Sequence, residues 1–169
     1  MINVFLVVIF PMCLAFAAFC DLFTMSIPNR VSVVLLVSFV MFAPHGVDLT
    51  QILLHLAAGG SVFAVCFCLF ALNVMGGGDA KLLTASAVWF GFNASLAAFL
   101  LYVSVFGGLL TLLVLLLRSQ ENLILAARIP VPRLLLTAKK VPYGIAIALG
   151  GLAAYPSSPL MQLAFAQLS

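Results

Sequence analysis

Charged side chains are almost absent from this sequence. Of 169 residues only 7% are Asp, Glu, Lys or Arg, whereas 66% are hydrophobic and the mean hydropathy is +1.33. Soluble domains carry about a quarter charged residues, so a mostly aqueous surface is excluded. The apolar runs do not alternate with polar residues, which excludes the short strands of an outer-membrane barrel. No Lys or Arg precedes the first run, Ile2–Cys20, so the charged n-region of a secretory signal is missing. Phe19 is also a poor residue to stand before a lipidated Cys20. That run is expected to stay as a membrane span. Cys13, Cys20, Cys66 and Cys68 all fall within apolar runs and form no C-x-x-C pair, so neither a metal site nor a disulfide framework is expected.

What is present reads as an all-α polytopic membrane protein, a single domain over residues 1–169. Six spans are expected: Ile2–Cys20, Val31–Pro44, Gln51–Met75, Leu82–Phe92, Ala94–Leu117 and Gly144–Leu163. At 1.5 Å per residue about 20 residues cross the hydrocarbon, and the second and fourth runs are short for that. The basic residues decide the count. With six alternating spans Arg30, Lys81 and the cluster Arg118, Arg128, Arg133, Lys139 and Lys140 share one side, while the opposite loops hold no Lys or Arg. The positive-inside rule makes the shared side cytoplasmic and leaves both termini outside. Residues 118–142 alternate leucines with basic residues around Pro130 and Pro132. They read as a connection lying on the inner leaflet, against anionic lipid. No nucleic-acid partner is expected.

Small residues mark expected helix contacts: Ala57 to Ser61 in the third run, Gly107 and Gly108 in the fifth, and Ala146, Gly150 and Ala154 in the sixth. The acids are four: Asp21, Asp48, Asp79 and Glu121. Asp48 and Glu121 fall in loops. Asp21 and Asp79 each abut an apolar run on the cytoplasmic side, and a carboxylate at a membrane edge is a functional candidate by default. The bland alternative is a pair of solvated helix ends.

Two carboxylates held close share a proton, so one is the base while the other stays an acid. Such a pair deprotonates a water and polarises a peptide carbonyl, and it titrates as a unit. Scattered Ser and Thr, with His45 and His55 near the opposite side, leave a serine triad or a metal site poorly supported. Gly76, Gly77 and Gly78 precede Asp79. They are expected to supply backbone angles closed to other residues and to let a second chain approach. Lys81 stands two residues beyond Asp79, so in a helix it is not expected on the same face; an interfacial anchor is the leading reading.

The motifs add a resemblance. "GGGD" at Gly76–Asp79 matches the G-x-G-D signature of intramembrane-type aspartic proteases. Together with "DLFTMSIPNR" (Asp21–Arg30), "GGGDAKLL" and "VPYGIAIALGG" (Val141–Gly151), it resembles the type IV prepilin peptidases, over nearly the whole chain and in order. It is most similar to the short branch serving Flp-type, tight-adherence pili. Longer members carry an N-terminal methyltransferase region, usually with a four-cysteine zinc motif, which this sequence does not show. The resemblance implies an aspartic endopeptidase of the bacterial inner membrane without N-methylation or cofactor. It implies Asp21 and Asp79 as the catalytic pair and Gly76 and Gly78 as motif glycines. Ile27, Pro28, Asn29, Gly77, Lys81, Pro142, Tyr143 and Gly144 fall in the same motifs and are expected at the substrate approach. The implied partner is a small prepilin or pseudopilin, whose basic leader ends in Gly before a hydrophobic helix, with the pilus assembly machinery as a further partner class. The alternatives are a proton-coupled transporter or secretion-system subunit, whose acids more often lie near the midplane, and a preflagellin-type peptidase.

Overall fold

A computed structural model of the chain describes residues 2–42, 48–120 and 141–166, and every regular element in them is helical. The helices are α1 (Ile2–Thr24), α2 (Asn29–Phe42), α3 (Leu49–Ala71), α4 (Gly77–Phe90), α5 (Ala94–Ser119), α6 (Tyr143–Ala154) and α7 (Pro159–Ala166). A single 3₁₀ turn, Tyr155–Ser157, joins the last two. Most of the expected inner-leaflet connection, with Glu121, Arg128, Arg133, Lys139 and Lys140, lies outside the described residues, as does His45.

Among the described residues three helices, α1, α3 and α5, are long and apolar enough to cross a membrane, and α6 with α7 passes as one span bent by 47°. The expected sixth run is thus two helices. Pro156 and Pro159 lack the N–H that would continue the ladder, and Pro159 also disfavours helical backbone at Ser158. Helices α2 and α4 have 14 residues each, about 21 Å at 1.5 Å per residue, and fall short of a full span. Helix α4 is short but deeply enclosed, with Leu82, Leu83 and all of Ala85–Phe90 buried. It packs on α3 and α2, and more lightly on α6, while α6 packs on α5 and α1.

Lipid offers no hydrophobic drive between helices, so close packing carries the association. Gly59 of α3 meets the Val88 side chain of α4, where a Cβ would have no room. A Cβ on Gly150 would stand 2.7 Å from the backbone nitrogen of Val103 in α5, and one on Gly151 2.5 Å from Leu14 of α1. The expected small-residue contacts therefore hold at Ala58, Gly59, Gly107, Ala146, Gly150 and Ala154. They fail at Ala57, Gly60, Ser61 and Gly108, which are exposed. The 3.6-residue period turns the first three away from the inward α3 stripe His55, Ala58, Gly59, Val62 and Cys66, and Gly108 away from the α5 stripe Phe99, Val103, Gly107 and Val114. At the end of the bundle holding the α4–α5 turn, Phe10 stacks on Tyr155 with centroids 4.5 Å apart, and Phe90 on Phe99 at 4.6 Å. The Trp89 indole N–H donates to the Leu35 carbonyl at 3.0 Å, tying α4 to α2.

Candidate active site

At the other end of the bundle, two segments distant in sequence wall a cavity of about 490 Å³. The first wall is the link from α1 to α2. Helix α1 runs four residues beyond the expected Cys20, so Asp21 belongs to its last turn rather than to a loop. It stops at Met25, whose backbone is left-handed (φ +50°) and whose N–H donates to the Asp21 carbonyl at 2.9 Å. A non-glycine residue held there costs on the order of 1 kcal/mol. Pro28 then keeps Ile27 out of helical backbone, and the Pro28 carbonyl accepts the Val31 N–H at 3.0 Å, closing the first turn of α2. Met25 and Ser26 to Asn29 line the cavity.

The second wall is the start of α4. Helix α3 ends with Asn73 left-handed (φ +58°); the Asn73 N–H donates to Phe70 O and the Val74 N–H to Leu69 O, each at 2.9 Å. Gly76 is the extended N-cap of α4, and Gly77, Gly78 and Asp79 are its first helical residues. The expectation that these glycines supply unusual backbone angles is overturned: among the described glycines only Gly91 has positive φ. Their use is space. A Cβ on Gly78 would lie 3.3 Å from the Cβ of Ile27, so the bare backbone lets the two walls meet. A Cβ on Gly76 would lie 2.7 Å from Oδ2 of Asp79, and one on Gly77 would lie 3.2 Å from the Phe70 ring.

Each carboxylate meets a helix N-terminus. Asp79 is in the first turn of α4, where unpaired N–H groups and the helix dipole favour an anion. Asp21, 5% exposed, accepts the Gly144 N–H through Oδ2 at 2.7 Å, and Gly144 is in the first turn of α6. A Cβ on Gly144 would stand 2.8 Å from both that oxygen and Cδ1 of Ile27. Ile27 thus lies between two glycines, Gly78 of α4 and Gly144 of α6.

Lys81, two residues along α4 and so on a different face, lines the same cavity as Asp79 because the cavity wraps the end of α4. Its Nζ donates to Oδ1 of Asn29 at 3.0 Å, linking the two walls. Pro142 is buried, and Tyr143 packs its hydroxyl against Gly107 of α5; neither is among the lining residues. Met25, Ser26 and Val141 line the cavity without having been singled out. The first two lie inside the Asp21–Arg30 motif, and Val141 opens the late one. The Gly144 N–H as partner of Asp21 has no signal in sequence, since it depends on where α6 begins. Among the described residues the arrangement offers two carboxylates, one ammonium and exposed backbone around a space open to a chain.

A family model described as the type IV leader peptidase family matches residues 8–112, more than half of the chain and inclusive of both aspartates. No curated protein and no solved structure matches it.

Proposed function

The chain belongs to the type IV leader peptidase family, and from that premise we propose that it is an aspartic endopeptidase that removes the short basic leader from Flp-type prepilins or pseudopilins. Asp21 and Asp79 lining one cavity is the observation that carries this reading. One carboxylate takes a proton from a water as its oxygen bonds to the scissile carbonyl carbon. The other, protonated, hydrogen-bonds to the carbonyl oxygen and stabilises the charge developing there. Collapse of the tetrahedral species breaks the C–N bond, and the proton first taken from water goes to the leaving amine. Gly76–Gly78 and the Met25–Asn29 link form backbone walls along which an extended leader lies. The active site faces the cytoplasm in the six-span arrangement, in the inner membrane, with both termini outside; the one-sided Arg30, Lys81 and Arg118–Lys140 charges support that orientation. The mature amine leaves unmethylated, a reading that rests on the resemblance to the short branch; mass spectrometry of the released pilin would return N-methylation if that reading were wrong.

The test is prepilin band shift in membranes, with enzyme abundance followed by immunoblot. Asp21→Asn and Asp79→Asn each abolish cleavage at normal abundance, because Asn keeps the size but cannot share the proton. The double variant loses no more than either single one, since the acids act as a unit. Asp48→Asn and Glu121→Gln cut as wild type. Near-normal cleavage by either aspartate variant would sink the reading and leave ion coupling as the explanation of these acids.

A further inference from the structure

A second cavity, of about 480 Å³, runs between α3 and α5 with α4 as its floor. Ser61, Val65 and Leu69 form one bank, Leu96, Ala97 and Leu100 the other, and Leu83 lies between them. Among the described residues no charged side chain lines it. Its lining includes Asn93, just beyond the end of α4, and Met75, just before its start. Val65 is 62% exposed and Ser61 and Ala97 are exposed as well, so the groove opens sideways where lipid would lie.

The lining of the groove adjoins that of the candidate active site in two places. Met75 lines the groove and its chain neighbour Gly76 lines the catalytic cavity. On α4, Leu83 lines the groove and Asp79 the catalytic cavity, and residues four apart share one helix face. A segment lying in the groove therefore runs along α4 straight to Asp79. Ser61, exposed where an internal contact was expected, lines this groove together with the exposed Ala97, and two such small residues let a helix backbone come close, as packing in lipid requires.

We propose that this groove is the docking site for the apolar helix of the prepilin that follows the scissile bond. The inference rests on the peptidase reading above. Docking there holds the apolar helix against α3 and α5 and fixes where the chain leaves the membrane. The bond ahead of the helix then meets Asp79, and groove contacts set which prepilins are cut. Binding energy gained away from the reacting bond is used to position it.

The experiment measures cleavage kinetics in membranes and photo-crosslinking at single positions. Ala97→Trp, which fills the groove, lowers kcat/KM for full-length prepilin by about tenfold, the loss of one well-packed interface contact. The difference disappears on a leader peptide that ends before the apolar segment. Leu113→Trp, exposed on α5 outside the groove, behaves as wild type. A photo-reactive residue at Val65 captures prepilin, and the same residue at Leu113 does not. Wild-type kinetics for Ala97→Trp, or capture of lipid or a second enzyme copy in place of prepilin at Val65, would overturn the groove assignment while leaving the aspartate variants inactive. If wild-type enzyme cut no prepilin at all, the peptidase reading itself would fail instead.

Discussion

Two glycines do more at the residue scale than their flexibility suggests. Gly76 and Gly144 each leave the space in which a carboxylate oxygen rests, and neither has the positive φ that would demand glycine. Alanine is thus tolerated by the backbone at both positions and rejected by the aspartates. Gly144→Ala displaces Oδ2 of Asp21 from the Gly144 N–H and presses on Ile27, so cleavage falls by about 10²-fold, the usual loss for an ångström of misplacement. Gly76→Ala moves only the end of one side chain and falls less, about tenfold. Asp79→Glu belongs with the first group, because its extra methylene carries the carboxyl by about an ångström. Comparing turnover of membrane-inserted variants at matched abundance checks the order.

The stop of α1 and the start of α2 act as one element. The helix end at Met25, the Pro28 restriction and the Val31–Pro28 bond turn the chain so that Ile27 plugs the space between α4 and α6. Ile27→Ala leaves that space unfilled. A buried Ile-to-Ala change costs roughly 2–5 kcal/mol, so both thermal stability in detergent and cleavage fall together. Lys81→Met separates the two effects. Its bond to Asn29 is exposed and contributes about 1 kcal/mol or less to folding, yet it ties the walls that carry Asp21 and Asp79. Melting temperature stays within a few degrees while cleavage drops about tenfold, and Lys81→Arg, which also donates to Asn29, recovers most of it. A Lys81→Met variant as active as wild type would show the link to be incidental.

On the scale of the whole molecule, one end carries both acids and the other carries a capped helix end. His55 of α3, 3% exposed, shares a hydrogen of its ring with the Val88 carbonyl at 2.6 Å, and the Phe92 N–H donates to Leu54 O at 3.2 Å. These bonds tie α3 to the last turn of α4, whose final carbonyls have no intrahelical partner. His55→Ala leaves a buried carbonyl unpaired and lowers stability by about 1–3 kcal/mol, with cleavage per folded molecule nearly unchanged; paired melting and turnover measurements test this. The six-span arrangement is tested by labelling single cysteines in a cysteine-free background. Asp48→Cys and Phe92→Cys react from outside, and Arg30→Cys only after the membrane is permeabilised. The reverse pattern at Arg30 would put the acids on the wrong side for a cytoplasmic leader.

Composition and the quoted motifs were enough to establish an all-helical membrane chain and to single out Asp21 and Asp79. Burial of apolar surface in lipid depends only on run length and hydropathy, and charge is too scarce here to be placed without reason. Helix ends were less legible, because the αL stop at Met25 carries an ordinary residue, and Pro156 with Pro159 broke a run that hydropathy alone left whole. Only the tertiary structure decided that the glycines make room rather than turns. It alone set Ser61 on a groove instead of an internal contact, gave the Gly144 N–H to Asp21 and brought Lys81 to Asn29. Each of those depends on which helices become neighbours and at what distance, and a one-dimensional pattern holds no term for that.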